Sequence, residues 1–208
     1  MEREPFPSLV LYHLLKWGLV SPVLHTYFRG RIHGAEHVPQ TGKLVVVSNH
    51  ASYFDPPIVS CAVGRPVAFM AKEELFRVPV LREGIRLYGA YPVKRGSSDR
   101  SAIRAAMDSL EQGWAAGLFL QGTRSPDARI TEPKLGAALI AAMAKAPILP
   151  VSLWGTERIL CNGGPWPVPV TVRIGRVIEP PGSTQRDCLE TKVQECARVI
   201  NEMHDLGR

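Results

Sequence analysis

The sequence lacks the features that mark several large classes of protein. Its 4 cysteines form no Cys-x-x-Cys pair, and no histidine spacing typical of a zinc site accompanies them. No internal repeat, low-complexity tract or long linker divides the 208 residues. We therefore expect a single globular domain in a reducing compartment, with buried thiols and without a disulfide framework or a metal centre.

An apolar stretch long enough to cross a bilayer is also missing. Residues 8–28 are mostly apolar, but charged and titratable side chains interrupt them, and Pro22 is expected to break any helix. We predict two short amphipathic helices instead, at 8–20 and 22–28, which either lie in the membrane interface or pack on the rest of the protein. The first residues lack the cationic flank of a secretory signal, so we expect the protein to remain in the cytoplasm.

Basic residues are in excess, at 25 against 19 acidic ones, which gives a net charge of +6. Such a balance suits an anionic substrate, an anionic membrane surface or nucleic acid. No run of like charge singles out nucleic acid. An apolar content of 45% is enough for one well-packed core.

The most informative stretch is an apolar strand that runs into a polar turn, residues 43–57. Val45–Val47 are continuously apolar, as in a buried strand of a parallel sheet, and open α/β sheets place their sites at the carboxyl ends of such strands. His50 follows there as a candidate base, and Asp55 as the carboxylate that fixes its tautomer. Asp55 before Pro56 equally fits a helix N-cap, and that alternative stays open.

Further along the chain, cationic residues follow other predicted strands. Lys72 comes after a strand predicted at 67–70, and Arg95 comes after a short strand at 91–93. The carboxyl ends of parallel strands meet at one edge of a sheet, so these side chains are expected to converge near His50.

The strand at 117–120 leads into a loop that contains Gln121, Gly122, Thr123 and Arg124. A glycine lets backbone N–H groups approach an oxyanion, and an arginine presents a planar fork that matches phosphate. The loop is either an anion site or a plain polar turn.

The predicted strands alternate with amphipathic helices, which is typical of an α/β fold with a mostly parallel central sheet flanked by helices. A strand at 170–174 has the alternation of a half-exposed strand near a sheet edge, and a last helix is predicted at 186–204. The pair of helices at 8–28 precedes this domain.

Four ordered blocks of sequence resemble the 1-acylglycerol-3-phosphate acyltransferases and their glycerolipid relatives. The blocks are Asn49–Asp55, Tyr91–Arg95, Phe119–Ser125 and Leu149–Val151. The likeness also includes Met70–Phe76 and extends over roughly residues 27–155.

The resemblance implies transfer of a fatty acyl group from acyl-CoA or acyl-ACP to the sn-2 hydroxyl of lysophosphatidic acid, giving phosphatidic acid without a metal or redox cofactor. His50 matches the family's base and Asp55 its partner, while Lys72, Arg95 and Arg124 match positions assigned to the acceptor phosphate. It also implies membrane-interface helices at 1–28, an α/β domain at 29–208 and a peripheral or monotopic place on the cytoplasmic face of a membrane.

Two positions depart from the family pattern. The third block usually reads Phe-Pro-Glu-Gly-Thr-Arg, and this chain has Leu120 and Gln121 in place of proline and glutamate. Glutamine can orient a hydroxyl but cannot act as a base. Three hypotheses remain: a lysophosphatidic acid acyltransferase, an acyltransferase for another lysophospholipid or for glycerol 3-phosphate, and a non-catalytic lipid-binding relative.

Overall fold

The computed structural model describes residues 6–72, 76–77, 82, 85, 90–93 and 100–208 of the chain. Within this part, apolar and β-branched segments pair into one sheet. The strands of this described part are β1 (Arg31–His33), β2 (Val45–Ser48), β3 (Val67–Lys72), β4 (Tyr91–Val93), β5 (Ala115–Phe119), β6 (Ile148–Trp154) and β7 (Thr171–Ile174). The α-helices are α1 (Phe6–Leu15), α2 (Asp55–Val63), α3 (Arg100–Glu111), α4 (Gly136–Ala144) and α5 (Arg186–Asp205).

The strand order across the sheet is β1-β7-β6-β2-β5-β3-β4. Every neighbouring pair is parallel except β6 and β7, so β2 lies between two parallel partners and five strands end at the same edge. This arrangement confirms the predicted α/β fold with a mostly parallel sheet. It also places the residues that follow β2, β3, β5 and β6 side by side.

Both faces of the sheet are covered. Successive side chains of a strand point to opposite faces, so neighbouring residues of one buried strand enter different cores. Val46 packs in a core with α2 and with the segment before β1. Val45 and Val47 pack in a second core with α3, α4 and α5. All three valines are fully buried, so β2 is the centre of a three-layer structure.

The segment before β1 is helical as predicted, but Pro22 does not break it. After α1 the chain continues as two π-helical segments, Lys16–Val20 and Val23–Tyr27, with Ser21 and Pro22 helical between them. The Ser21 N–H bonds to the Lys16 carbonyl five residues earlier, and this wider turn accommodates a proline, which has no N–H to donate.

This helical segment has a buried and an exposed side. Tyr12, Lys16, Leu24 and Phe28 are buried, and the Tyr12 hydroxyl bonds with Ser60 in α2. Burial lowers the pKa of the Lys16 ammonium. The large apolar side chains on the exposed side are Val10, Leu14, Trp17 and Leu19. Within the described ranges, no helix combines the length and the apolar composition that crossing a bilayer requires.

Two further expectations need correction. Strand β7 is almost fully buried instead of half-exposed. Val172 and Ile174 pack in the core with α2, Thr171 is fully buried, and β1 pairs along the outer side of the strand. The thiols are all free, but only Cys61 and Cys196 are buried, whereas Cys161 is exposed and Cys188 is partly exposed. Burial raises the pKa of Cys196 to about 12.

Candidate active site

The site begins where β2 ends, and a buried asparagine shapes that end. The Asn49 side chain donates to the backbone carbonyls of Ala128 and Leu153, and its Oδ1 accepts the Leu153 N–H, each at 2.8 Å. Asn49 is fully buried. Its amide therefore joins β2 to β6 and to the loop after β5, and it fixes the backbone from which His50 projects.

His50 and Asp55 form a hydrogen-bonded pair, as the sequence predicted. His50 Nδ1 lies 2.8 Å from Asp55 Oδ2, and the exposed fraction is 18% for the imidazole and 0% for the carboxylate. An ionised carboxylate only accepts hydrogen bonds, so Nδ1 carries the proton and Nε2 presents its lone pair. Among the described residues, none hydrogen-bonds to Nε2.

The carboxylate of Asp55 is held in place by the preceding turn. Its Oδ2 also accepts the N–H groups of Ala51 and Ser52, both at 2.7 Å. The alternative role as an N-cap of α2 is wrong, because Phe54 is the cap residue and Asp55 is already helical. Pro56 next to it has no N–H to cap. The carboxylate therefore faces His50 instead of the helix.

Two aromatic rings lie beneath the imidazole. The ring of Phe119 stacks on His50 with the centroids 3.9 Å apart and the planes at 11°, and Phe69 stacks on Phe119 at 5.0 Å and 21°. Sequence reasoning missed both residues. The available signal was the position of Phe119 at the end of β5, beside the end of β2, since Phe119 pairs with Ser48. Phe69 lies in β3, on the far side of β5 from β2.

The loop after β5 is bonded directly to the turn that holds His50. Gln121 Oε1 accepts the His50 N–H at 2.9 Å, and Gln121 Nε2 donates to Ser125 Oγ and to the Arg129 carbonyl. The Ser125 N–H bonds to the His50 carbonyl at 2.9 Å. The structure thus brings Gln121 beside His50, and the residue is only 8% exposed.

Arg124 lies on the exposed side of this loop, against Tyr53. Its guanidinium carbon is 3.7 Å from the centre of the Tyr53 ring, and its Nη2 donates to the Tyr53 hydroxyl at 2.9 Å. Both residues are exposed. This contact leaves most of the guanidinium donors of Arg124 available to an anion at the mouth of the site.

The remaining predicted site residues are placed as follows. Gly122 has a left-handed backbone, φ +70°, next to the exposed Thr123. Lys72 ends β3 at the same sheet edge as His50, and the structure describes its backbone alone. Arg95 lies outside the described residues. At the far end of the loop, the Arg129 N–H holds the pKa of Asp127 below its usual value.

The arrangement therefore offers a base with one oriented nitrogen, an arginine on the neighbouring loop, and two stacked aromatic rings. The described ranges contain no cluster of three or more His, Cys, Asp or Glu side chains that could hold a metal ion.

Comparison with known proteins matches this region of the chain to one family. A family model described as Acyltransferase matches residues 29–154. The 1-acyl-sn-glycerol-3-phosphate acyltransferase BAT2, chloroplastic, of Brassica napus is 31% identical over 150 residues, which are 71% of this chain and 43% of the relative. The 1-acyl-sn-glycerol-3-phosphate acyltransferase of Streptococcus pneumoniae is 32% identical over 149 residues, 64% of this chain and 55% of that protein. The chain thus spans about half the length of these curated relatives.

A solved structure is similar over a larger share of both chains. The crystal structure of the 1-acyl-sn-glycerophosphate (LPA) acyltransferase PlsC from Thermotoga maritima superposes with a TM-score of 0.71 at 27% identity. The match covers 95% of this chain and 86% of that one.

Proposed function

The chain belongs to the acyltransferase family, and from this membership and the site geometry we propose that it acylates the sn-2 hydroxyl of 1-acyl-sn-glycerol 3-phosphate. The acyl group comes from an acyl thioester, acyl-CoA or acyl-ACP, and the products are phosphatidic acid and the free thiol. The observation that carries the proposal is the buried Asp55 carboxylate bonded to His50 Nδ1, which leaves Nε2 as a base at the edge of the sheet.

In the first step, His50 Nε2 takes the proton of the acceptor hydroxyl while the oxygen attacks the thioester carbonyl. A C–O bond forms, and the carbonyl π electrons move onto the oxygen. The imidazolium that results is stabilised by Asp55, whose position is fixed by the N–H groups of Ala51 and Ser52.

In the second step, the oxyanion reforms the carbonyl and the C–S bond breaks. His50 returns its proton to the leaving thiolate, so the base is regenerated with no net change in the protein. The two substrates supply every atom that is transferred, and the proposed chemistry requires no cofactor.

The acceptor phosphate is proposed to bind the cationic groups at the sheet edge. Arg124 is held by Tyr53 beside the loop that bonds to His50. We assign Lys72 and Arg95 to the same phosphate, and we assign Gln121, Gly122 and Thr123 to the loop that holds the acceptor. Three cations favour a phosphate monoester over a larger head group.

The protein is proposed to work on the cytoplasmic face of a membrane, as a peripheral or monotopic protein on an anionic surface. The exposed apolar side of residues 10–19 and the net charge of +6 support this location, because lipid substrates partition into the bilayer. We propose that 1–28 forms the membrane-interface segment and 29–208 the catalytic domain.

The test is an assay of the purified protein with a panel of lyso acceptors and both thioester donors, together with His50→Ala and Asp55→Asn. We expect acylation of lysophosphatidic acid by the wild type. General-base catalysis contributes about 10² to 10⁴ in rate, so His50→Ala should lose about that factor while its thermal unfolding is unchanged. Asp55→Asn should also lose activity, because the amide no longer fixes the Nδ1 tautomer.

Each alternative predicts a different result in this assay. Preferential use of glycerol 3-phosphate or of a larger lysophospholipid would show that the acceptor is different while the acyl-transfer chemistry is the same. Lipid binding without turnover in any combination would favour the non-catalytic relative. A His50→Ala protein that keeps more than about a tenth of wild-type turnover would remove the base assignment.

A further inference from the structure

We propose that Phe119 is a positioning residue for the His50 imidazole, an inference that rests on the proposed function of His50 as the base. The two rings are nearly parallel, at 11°, with their centroids 3.9 Å apart. Asp55 bonds to the edge of the imidazole at Nδ1, whereas Phe119 lies against its face, so the two residues restrain different motions of the ring.

The hydrogen bond to Asp55 is not sufficient by itself to fix the ring. The covalent bond at Cγ and the hydrogen bond at Nδ1 hold two adjacent ring atoms, and the ring plane can still tilt about the line through them, which would move Nε2 away from the acceptor. A flat aromatic surface against one face removes this tilt. General-base catalysis depends on such placement, because a displacement of about 1 Å can cost on the order of 10²-fold in rate.

Phe119 is itself held by the ring behind it. Phe69 stacks on Phe119 with centroids 5.0 Å apart, and Phe69 pairs with Gly117 in the adjacent strand. A Cβ on Gly117 would lie 2.6 Å from Cε1 of Phe69. The missing side chain of Gly117 therefore gives Phe69 the room to lie flat, and β3 and β5 together support a continuous stack of three rings.

The stack also suits the charge that forms during the reaction. When His50 takes the proton, its positive charge lies over the π face of Phe119, which is a favourable cation–π geometry. An aliphatic side chain of similar volume would fill the space without supplying that face. The aromatic ring is thus the property to test.

The experiment compares Phe119→Leu, which removes the aromatic face, with Phe119→Tyr, which keeps it. We expect Phe119→Leu to lower kcat by about tenfold to a hundredfold with the acceptor KM within about twofold. Phe119→Tyr should stay within about threefold of wild type. Phe28→Leu is the matched control, because Phe28 is another phenylalanine of this core, only 2% exposed, that packs edge-on against Phe54; it should change kcat little.

A second readout does not depend on turnover. Proton NMR of His50 should show ring-current shifts from Phe119 and a low-field Nδ1–H resonance from the bond to Asp55. We expect both signals in the wild type and in Phe119→Tyr, and loss or broadening of both in Phe119→Leu at an unchanged thermal unfolding midpoint.

The outcomes separate this inference from the proposed function. An inactive wild type that shows both NMR signals, lost only in Phe119→Leu, refutes the acyltransferase proposal and supports the positioning role. A Phe119→Leu protein with kcat within twofold of wild type or with an unchanged Nδ1–H resonance overturns the positioning role. A Phe119→Tyr protein as impaired as Phe119→Leu overturns it as well, since packing alone would then explain the loss.

Discussion

Gln121 shows how a single residue can depart from a family pattern and still fit its surroundings. Its Oε1 accepts the His50 N–H, which a glutamate carboxylate could also do. Its Nε2 donates to Ser125 Oγ and to the Arg129 carbonyl, and a carboxylate cannot donate to that carbonyl. The amide therefore serves both the turn that holds His50 and the loop after β5.

We predict that Gln121→Glu changes the acceptor kcat/KM by less than about tenfold, or 1.4 kcal/mol, because the bond to His50 N–H survives. Gln121→Ala should cost more, since it leaves the His50 N–H and the Arg129 carbonyl without this partner. Steady-state kinetics on purified variants provide the measurement. Activity that appears only in Gln121→Glu, over an inert wild type, would instead show that this chain has lost catalysis.

Arg124 is the cation whose side chain the structure places beside the site. We predict that Arg124→Ala loses about 1.5 to 3 kcal/mol in kcat/KM for lysophosphatidic acid, roughly one to two decades, through a missing charge-assisted hydrogen bond. Tyr53→Phe should lose less, because it removes the hydroxyl and keeps the ring beneath the guanidinium.

The matched control for Arg124 is Arg186→Ala, an exposed arginine at the start of α5 that pairs with Glu190. A surface pair of this kind contributes little, so the kinetic constants should not change. If Arg124→Ala and Arg186→Ala give the same kcat/KM for this acceptor, Arg124 does not bind the phosphate.

At the scale of helices and strands, the sequence predicts the elements whose pattern is local. The apolar run of β2 and the amphipathic α5 follow from periodicity. The spacing of His50 and Asp55 is a loose pattern by itself, and the resemblance of the surrounding blocks to the family identified the pair. The burial of β7 depends on the core with α2 and on pairing with β1, both more than a hundred residues away in the chain, and no local pattern contains it. The stack of Phe119 on His50 is likewise a contact between strand ends that only the sheet order brings together.

Asn49 connects these elements and gives a prediction about stability. Asn49→Ala removes three buried hydrogen bonds that join β2, β6 and the loop after β5. Because buried backbone groups would lose their partners, we expect the free energy of unfolding to fall by about 2 to 4 kcal/mol. Urea unfolding at neutral pH measures this change.

A suitable control for Asn49 is Asn201→Ala, which removes two hydrogen bonds to the backbone of Ile130 at a partly buried position. We expect a smaller loss of about 1 to 2 kcal/mol there. An Asn49→Ala loss no larger than that of Asn201→Ala would show that the end of β2 does not depend on this side chain.

For the molecule as a whole, the helical segment before β1 has one side that packs on the protein core and one apolar side that is exposed. Leu24 and Phe28 are part of the core against α2, so the segment packs on the sheet. Val10, Leu14 and Trp17 recur at spacings of four and three residues on its exposed side. The two alternatives drawn from the sequence are therefore compatible, because one side can contact the protein while the other contacts lipid. Deleting the segment would expose the core, so point substitutions are the sharper test.

We predict that Leu14→Ser combined with Trp17→Ser weakens binding to anionic vesicles by about tenfold or more. Their exposed fractions are both 64%, and burying a large apolar side chain in the interface is worth about 1.5 to 3 kcal/mol. Met143→Ser combined with Leu206→Ser is the control, since these side chains are 50% and 68% exposed, on α4 and directly after α5. Vesicle pelleting at low and high salt separates the apolar contribution from the electrostatic one. Equal binding by both double variants would place the lipid contact elsewhere on the protein.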